Sequence, residues 1–147
     1  MSKPQAIETR QDDLFRTRLN PKHPLFMLTH MIDWSSLEDY FSCLYQSELG
    51  HPPLPIRLMV GLMMLQHMEA LSDEQVVRKW VENPYYQYFC VYDYFQWKLP
   101  LDPSSLTRWR QRIGQEGVEK ILAATIQTSR ACGHSSQLIA SFKFSLK

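Results

Sequence analysis

Pro55-Ile56-Arg57-Leu58-Met59-Val60-Gly61-Leu62-Met63-Met64-Leu65-Gln66-His67-Met68 is the stretch around which the rest of the chain must be arranged. Ile56, Met59, Val60, Met63 and Met64 cover one side of a helix over 56–68, and Leu58, Leu62 and Leu65 cover much of the rest. A helix that is apolar nearly all round has no face to show to water, so it belongs inside a bundle. Its non-polar run, Leu58 to Leu65, is bounded by Arg57 and Gln66 and falls far short of the ~20 residues of a membrane span. The reading is a buried central helix with other helices packed round it.

Upstream, Gly50-His51-Pro52-Pro53-Leu54-Pro55 reads as a loop, with Pro55 as the first helical residue, where its missing N–H costs nothing. Before it, Leu25, Leu28, Met31 and Ile32 recur at helical spacing after His23-Pro24. A second short helix opens at Asp33-Trp34-Ser35-Ser36-Leu37-Glu38. Ser35 and Glu38 have capping-box spacing, and Leu37, Phe41 and Leu44 form the buried stripe. Downstream, Glu69-Ala70-Leu71 makes a turn, and Ser72 with Gln75 caps the next helix. Asp73 and Glu74 sit in its first turn, where the helix dipole favours them, and Val76, Val77, Trp80 and Val81 face inward. Asn83-Pro84 ends or kinks it. Tyr85 to Phe95 reads as a short helix followed by irregular chain. Pro103 to Ile113 is the next helix, with Asp102 as N-cap and Gly114 as its stop. Val118 to about Arg130 is the last, with Val118, Ile121, Leu122, Ile126 and Ser129 inward and Glu116 placed to pair with Lys120.

No alternating strand pattern stands out, so the class is all-α, a small domain of about five to seven helices. Residues 1–22 are expected to be a flexible arm, 23–131 the helical domain, and 132–147 a tail that leaves the pattern. The chain's 147 residues, 44% of them hydrophobic and 21% charged, suit one folded domain with a real core. The start of the chain is polar, with no apolar signal segment. Cys43, Cys90 and Cys132 are odd in number and widely spaced, which suits free thiols in a reducing compartment. Sixteen Lys and Arg against 15 Asp and Glu leave +1, so only the distribution of charge can point to a partner.

That distribution is informative on Pro103 to Ile113. At ~100° per residue, Leu106, Trp109 and Ile113 share the buried side. Ser104, Thr107, Arg108, Gln111 and Arg112 share the opposite side, Arg110 lies at the edge, and no carboxylate occurs between Asp102 and Glu116. Guanidinium, amide and hydroxyl groups are those that bond phosphates and base edges. The Ser104-Ser105 end adds backbone N–H groups and the positive end of the dipole, a ready phosphate site. A short basic helix after a capped helix and a turn is the way a helix-turn-helix presents its reader. A solvated basic face on an ordinary surface helix is the competing reading.

Other groupings are weaker. The five histidines show no i, i+4 pairing with each other or with a cysteine, so a metal site is not expected, and His67 reads as a partly buried helix-end histidine. The aromatic run from Tyr85 to Trp97 suits packing better than base stacking.

The ordered wording goes further. Leu54-Pro55-Ile56-Arg57-Leu58-Met59-Val60-Gly61-Leu62, Leu71-Ser72-Asp73-Glu74-Gln75-Val76-Val77, Trp80-Val81-Glu82-Asn83-Pro84-Tyr85-Tyr86-Gln87-Tyr88-Phe89-Cys90 and Leu101-Asp102-Pro103-Ser104-Ser105-Leu106-Thr107-Arg108-Trp109-Arg110-Gln111-Arg112-Ile113-Gly114 follow one another in order. Over roughly His23 to Arg130 the chain resembles the N-terminal domain of insertion-sequence transposases of family five. The resemblance implies double-stranded DNA as partner, at the terminal repeats of the element, and the helix-face reading puts Ser104, Ser105, Thr107, Arg108, Gln111 and Arg112 at the contact. It implies a bacterial, cytoplasmic, nucleoid-associated protein. In that family a later domain cuts and joins DNA with Asp, Asp and Glu on two divalent ions. No acidic residue follows Glu119 here, and Gly133 to Lys147 carries none of the expected Val-Asp-Thr-Thr-like strand. The chain is therefore expected to be no enzyme and to need no cofactor, magnesium belonging to the missing catalytic domain. The tail reads like a frameshift, a premature stop or a cut boundary. A rival reading is an interaction module that forms a homo-oligomer or binds and inhibits intact transposase. Neither reading involves a membrane.

Overall fold

A computed structural model describes residues 15–45 and 55–131. Among them are seven helices and no strand: α1 (Phe15–Arg18), α2 (Pro24–Met31), α3 (Trp34–Tyr45), α4 (Ile56–Glu69), α5 (Asp73–Glu82), α6 (Pro84–Phe89) and α7 (Pro103–Ala131). The all-α reading holds.

Helix α4 is the centre of the fold. Leu58 to Gln66 are all buried, and α3, α5 and α7 pack on it. Its first helical residue is Ile56, with Pro55 at the N-cap, one position earlier in the motif than the sequence suggested. Gly61 sits where Cys90 crosses. A Cβ there would lie 2.7 Å from the Cys90 Sγ, so a hydrogen is needed for that approach. The helix ends on Ala70, whose φ of 53° and ψ of 50° place it in the left-handed region. Its backbone N–H donates to the Gln66 carbonyl, which closes the last turn.

The capping box on α5 is present as predicted: Ser72 Oγ accepts from the Gln75 N–H at 3.2 Å, and Gln75 Oε1 accepts from the Ser72 N–H at 3.0 Å. On α3 the cap differs. The helix starts at Trp34, and Asp33 Oδ1 accepts the Ser36 N–H at 3.1 Å, so the Ser35–Glu38 pair is not the box. An Asx cap two residues earlier satisfies orphan donors of the same kind. Leu37 and Phe41 are buried as predicted; the Leu44 side chain lies outside the described residues. On α2, Leu25, Leu28 and Ile32 are buried, but Met31 is 41% exposed and Thr29 takes an inward place, its hydroxyl donating to the Leu25 carbonyl.

Phe15 and Asn20 tie their segment to the domain, unlike the arm expected through residue 22. Phe15 is buried, its N–H donates to the Asp93 carbonyl at 2.9 Å, and its ring meets Phe95 edge-on. The Asn20 N–H donates to the Tyr85 hydroxyl. One apolar ring with its partner in a distant segment leaves no periodic trace in sequence. Residues 1–14 and the tail after residue 131 lie outside the described residues, as does the loop over 46–54.

After α6 the chain is irregular, yet it is held by one buried side chain. Gln87 Nε2 donates to the carbonyls of Trp80 (3.2 Å), Val81 (3.4 Å) and Gln96 (3.0 Å), while its Oε1 accepts the Gln96 N–H at 2.7 Å. An amide can stand in for regular backbone bonding in this way because it offers both donors and an acceptor. The segment then delivers Leu101 into the core and Asp102 to the start of α7.

Helix α7 is two arms joined at Gly114, whose φ of 67° and ψ of −176° interrupt the helix. The predicted stop at Gly114 is thus a kink, with helix resuming at once. In the second arm Gly117, Ile121, Thr125 and Thr128 are buried, while Val118, Leu122 and Ile126 are half-buried. The threonines turn inward because each hydroxyl donates to the carbonyl four residues back, at 2.8 Å. Lys120 sets its ammonium over the Tyr40 ring, 5.2 Å from the centroid, in place of a pairing with Glu116. Glu69–Lys79 and Asp73–Arg110 are ion pairs among the described residues.

Candidate nucleic-acid interface

The first arm of α7 takes the rotation that its spacing predicts. Leu106, Trp109 and Ile113 are buried, with the Trp109 ring 5.4 Å from that of Phe41. Ser104, Arg108 and Gln111 stand exposed at i, i+4 and i+7, along one line of the helix. Ser105 and Arg112 are half-buried beside that line. The Arg108 guanidinium hangs 3.5 Å from the hydroxyls of both Ser104 and Ser105.

Two of the predicted groups are already engaged. At the N-terminus, Asp102 Oδ1 accepts the Ser104 N–H at 2.9 Å and the Ser104 hydroxyl at 2.7 Å. These bonds hold the exposed Asp102 carboxyl below its usual range. The start of α7 therefore carries its own anion, which corrects the expectation of a ready phosphate site there. Thr107 is exposed, yet its hydroxyl donates to Asp73 Oδ2 at 2.6 Å.

Asp73 stands in the first turn of α5 as predicted, and it has a second role that sequence reasoning missed. Its place in the first turn of α5 is a sufficient local explanation, so nothing in the sequence asks for more. In space it reaches α7. Arg110 Nη2 donates to Asp73 Oδ1 at 2.6 Å and to Gln66 Oε1 at 2.9 Å, while its Nη1 lies 3.4 Å from Asp73 Oδ2. Gln66 Nε2 also donates to Asp73 Oδ1 at 2.5 Å. Burial alone would raise the Asp73 carboxyl. The hydrogen bonds from Arg110, Thr107 and Gln66 outweigh it and hold the group at about 2. Beside this network is an open hollow of about 560 Å³ lined by Gln66, His67, Ala70, Leu71, Ser72, Asp73 and Arg110. His67 is half-buried there, and burial, then the Arg110 charge, lowers its basicity.

A tight turn, Ala70-Leu71-Ser72, joins α4 to α5. Helix α7 follows α5 only after α6 and the irregular residues 90–102. Of the aromatic run, Tyr86, Tyr88 and Phe89 are buried, whereas Trp97 is 85% exposed. Among the described residues no group of three or more His, Cys, Asp or Glu side chains converges as a metal site requires. No helix among them is long and apolar enough to cross a membrane.

A family profile described as a transposase domain (DUF772) matches residues 13–112. The chain belongs to this family. The matched part of the transposase domain runs from the residues just before α1 to Arg112, so it includes the exposed line on α7. A relative from Rhizobium meliloti, an uncharacterized protein named for ORF8 in the nfe locus, is 42% identical over 135 residues. The match takes in 89% of this chain and 65% of the relative, so the chain spans about two thirds of that relative's length. No solved structure matches the chain.

Proposed function

We propose that this transposase domain is the DNA-binding N-terminal part of an insertion-sequence transposase of family five and binds the element's terminal repeats. The observation that carries the reading is the exposed line Ser104, Arg108, Gln111 on an arm of α7 whose opposite side is core. A helix anchored by Leu106, Trp109 and Ile113 presents that line rigidly, as a reader in a major groove requires. Arg108, Gln111 and Arg112 are the base or phosphate contacts. Helix α5 packs behind this reader, but α6 and residues 90–102, and not a short turn, join the two.

The test is a terminal-repeat duplex against a scrambled one at two salt concentrations. The parent should prefer the repeat. Loss of a phosphate-contacting arginine should flatten the salt slope by about one unit, and loss of a base-reading residue should relax sequence choice by ~1–3 kcal/mol. Equal affinity of the parent and of Arg108→Ala/Arg112→Ala for both duplexes would defeat the assignment. The same reading gives residues 1–147 no strand cleavage or joining, since no acidic residue follows Glu119. Metal-dependent nicking of a bound repeat, abolished by a single Asp or Glu substitution, would refute it.

One observation favours a second reading. Trp97 at 85% exposure and Leu99 at 52% flank Lys98 on a segment held by Gln87, and exposed Trp is typical of protein contacts. Under that reading the domain self-associates or binds intact transposase. Concentration-dependent sedimentation without DNA, abolished by Trp97→Ala, would support it.

A further inference from the structure

Three arginines alternate along the first arm of α7, at 108, 110 and 112. Arg110 differs from Arg108 in its surroundings. Its guanidinium forks onto both oxygens of Asp73, on another helix, and also onto Gln66 on a third. The same carboxylate takes the Thr107 hydroxyl. One acidic side chain therefore occupies two donors at the margin of the exposed line, both of a kind that would otherwise bond phosphate.

Sequence-independent affinity for DNA rises with each Lys or Arg that neutralises a phosphate, whereas discrimination comes from the contacts to base edges. A carboxylate beside such a face weakens attraction to every duplex. It improves the ratio of specific to non-specific binding if it withholds only a phosphate-seeking group. Resting on the reading of α7 as the DNA-contacting helix, we infer that Asp73 is a specificity-determining residue. It holds Arg110 and Thr107 against α5, keeps them off the phosphates, and leaves recognition to Arg108 and Gln111. A purely structural staple would stabilise the fold and leave the salt dependence of binding by the folded protein unchanged.

The experiment measures binding of the full chain to terminal-repeat and scrambled duplexes across a salt series, for the parent, Asp73→Asn, Arg110→Gln, the double variant and Arg108→Ala. Asp73→Asn should steepen the salt slope by about one unit, because the released Arg110 then neutralises one more phosphate. It should also narrow the repeat-to-scrambled ratio. Arg110→Gln should leave the slope at the parent value, and the double variant should return it there. Arg108→Ala should flatten the slope by about one unit, which shows that α7 is the contact helix whatever Asp73 does. A parental slope and ratio in Asp73→Asn, or a flattened slope in Arg110→Gln, overturns the inference while the α7 reading stands. Absence of salt-dependent binding by the parent overturns both. Where a variant fails to fold by circular dichroism, arginine modification of the parent with phenylglyoxal, with and without duplex, decides. Protection of Arg108 with unchanged reactivity at Arg110 supports the inference, and protection of Arg110 overturns it.

Discussion

Asp73→Asn should cost stability in one pH range and not in another. Asparagine keeps the shape of the side chain and the Ser72–Gln75 cap, but it removes the charge that faces Arg110. In the fold the Asp73 carboxyl lies at about 2, against an ordinary value of 3.8. At about 1.4 kcal/mol per unit, that difference is about 2–3 kcal/mol before screening. The Asp73 side chain is 20% exposed and that of Arg110 34%, so the pair is only partly screened by water. The sign follows from the depressed value. The contribution is complete well above 3.8, fades as pH falls through 3.8 toward 2, and is absent once Asp73 is protonated in both states. The assay is urea unfolding of parent and variant, followed by tryptophan emission, at pH 7, 5, 3 and 2. The parent should be more stable by about 2 kcal/mol at pH 7 and pH 5, and the two should converge near pH 2. Taking the difference between the proteins cancels the acid response of other carboxylates, Asp102 among them. A gap that stays constant from pH 7 to pH 2, or no gap at pH 7, would refute the argument that this ion pair joins α5 to α7.

Gly61→Ala should destabilise α4 by overpacking, by about 1–3 kcal/mol less any gain in helix propensity, because the new methyl meets Cys90 Sγ at 2.7 Å. Adding Cys90→Ala should recover most of the loss, since the next contacts, at 3.5 and 3.6 Å, are ordinary; additive costs in denaturant melts would count against the clash. Trp109→Ala should cost ~3–5 kcal/mol through a cavity beneath the exposed line of α7, and a thermal melt within a few degrees of the parent would contradict its burial. Ala70→Gly should raise stability by about 1 kcal/mol, because a left-handed C-cap suits glycine; an unchanged or lower melting temperature would argue otherwise. Cys90 is buried and its thiol is pushed up to about 12, so mass-spectrometric mapping with a thiol reagent should find it modified only after unfolding, whereas exposed Cys43 reacts in the native protein.

What the sequence determined by itself is whatever one helix can state about its own surroundings. The all-round apolar surface of 58–65 could only be a buried helix. The Ser72–Gln75 box, the helix end at Asn83-Pro84 and the break at Gly114 are local hydrogen-bond and dihedral requirements. The rotation of α7 about Leu106, Trp109 and Ile113 followed from the 3.6-residue period alone, and with it the exposure of Ser104, Arg108 and Gln111. Tertiary structure alone decided the polar partnerships between helices. A carboxylate in a first helical turn satisfies its local rule equally well whether it faces water or an arginine 37 residues away, so Asp73 gave no sign of Arg110. The same holds for Gln87, one amide among aromatics until its neighbours Trp80, Val81 and Gln96 are assembled round it. Phe15 likewise docks beside Asp93 and Phe95 without any repeating pattern. Periodicity reports which side of an element avoids water. It carries no information about which distant donor meets which acceptor, because a hydrogen bond depends on one pair of atoms and leaves no repeat along the chain.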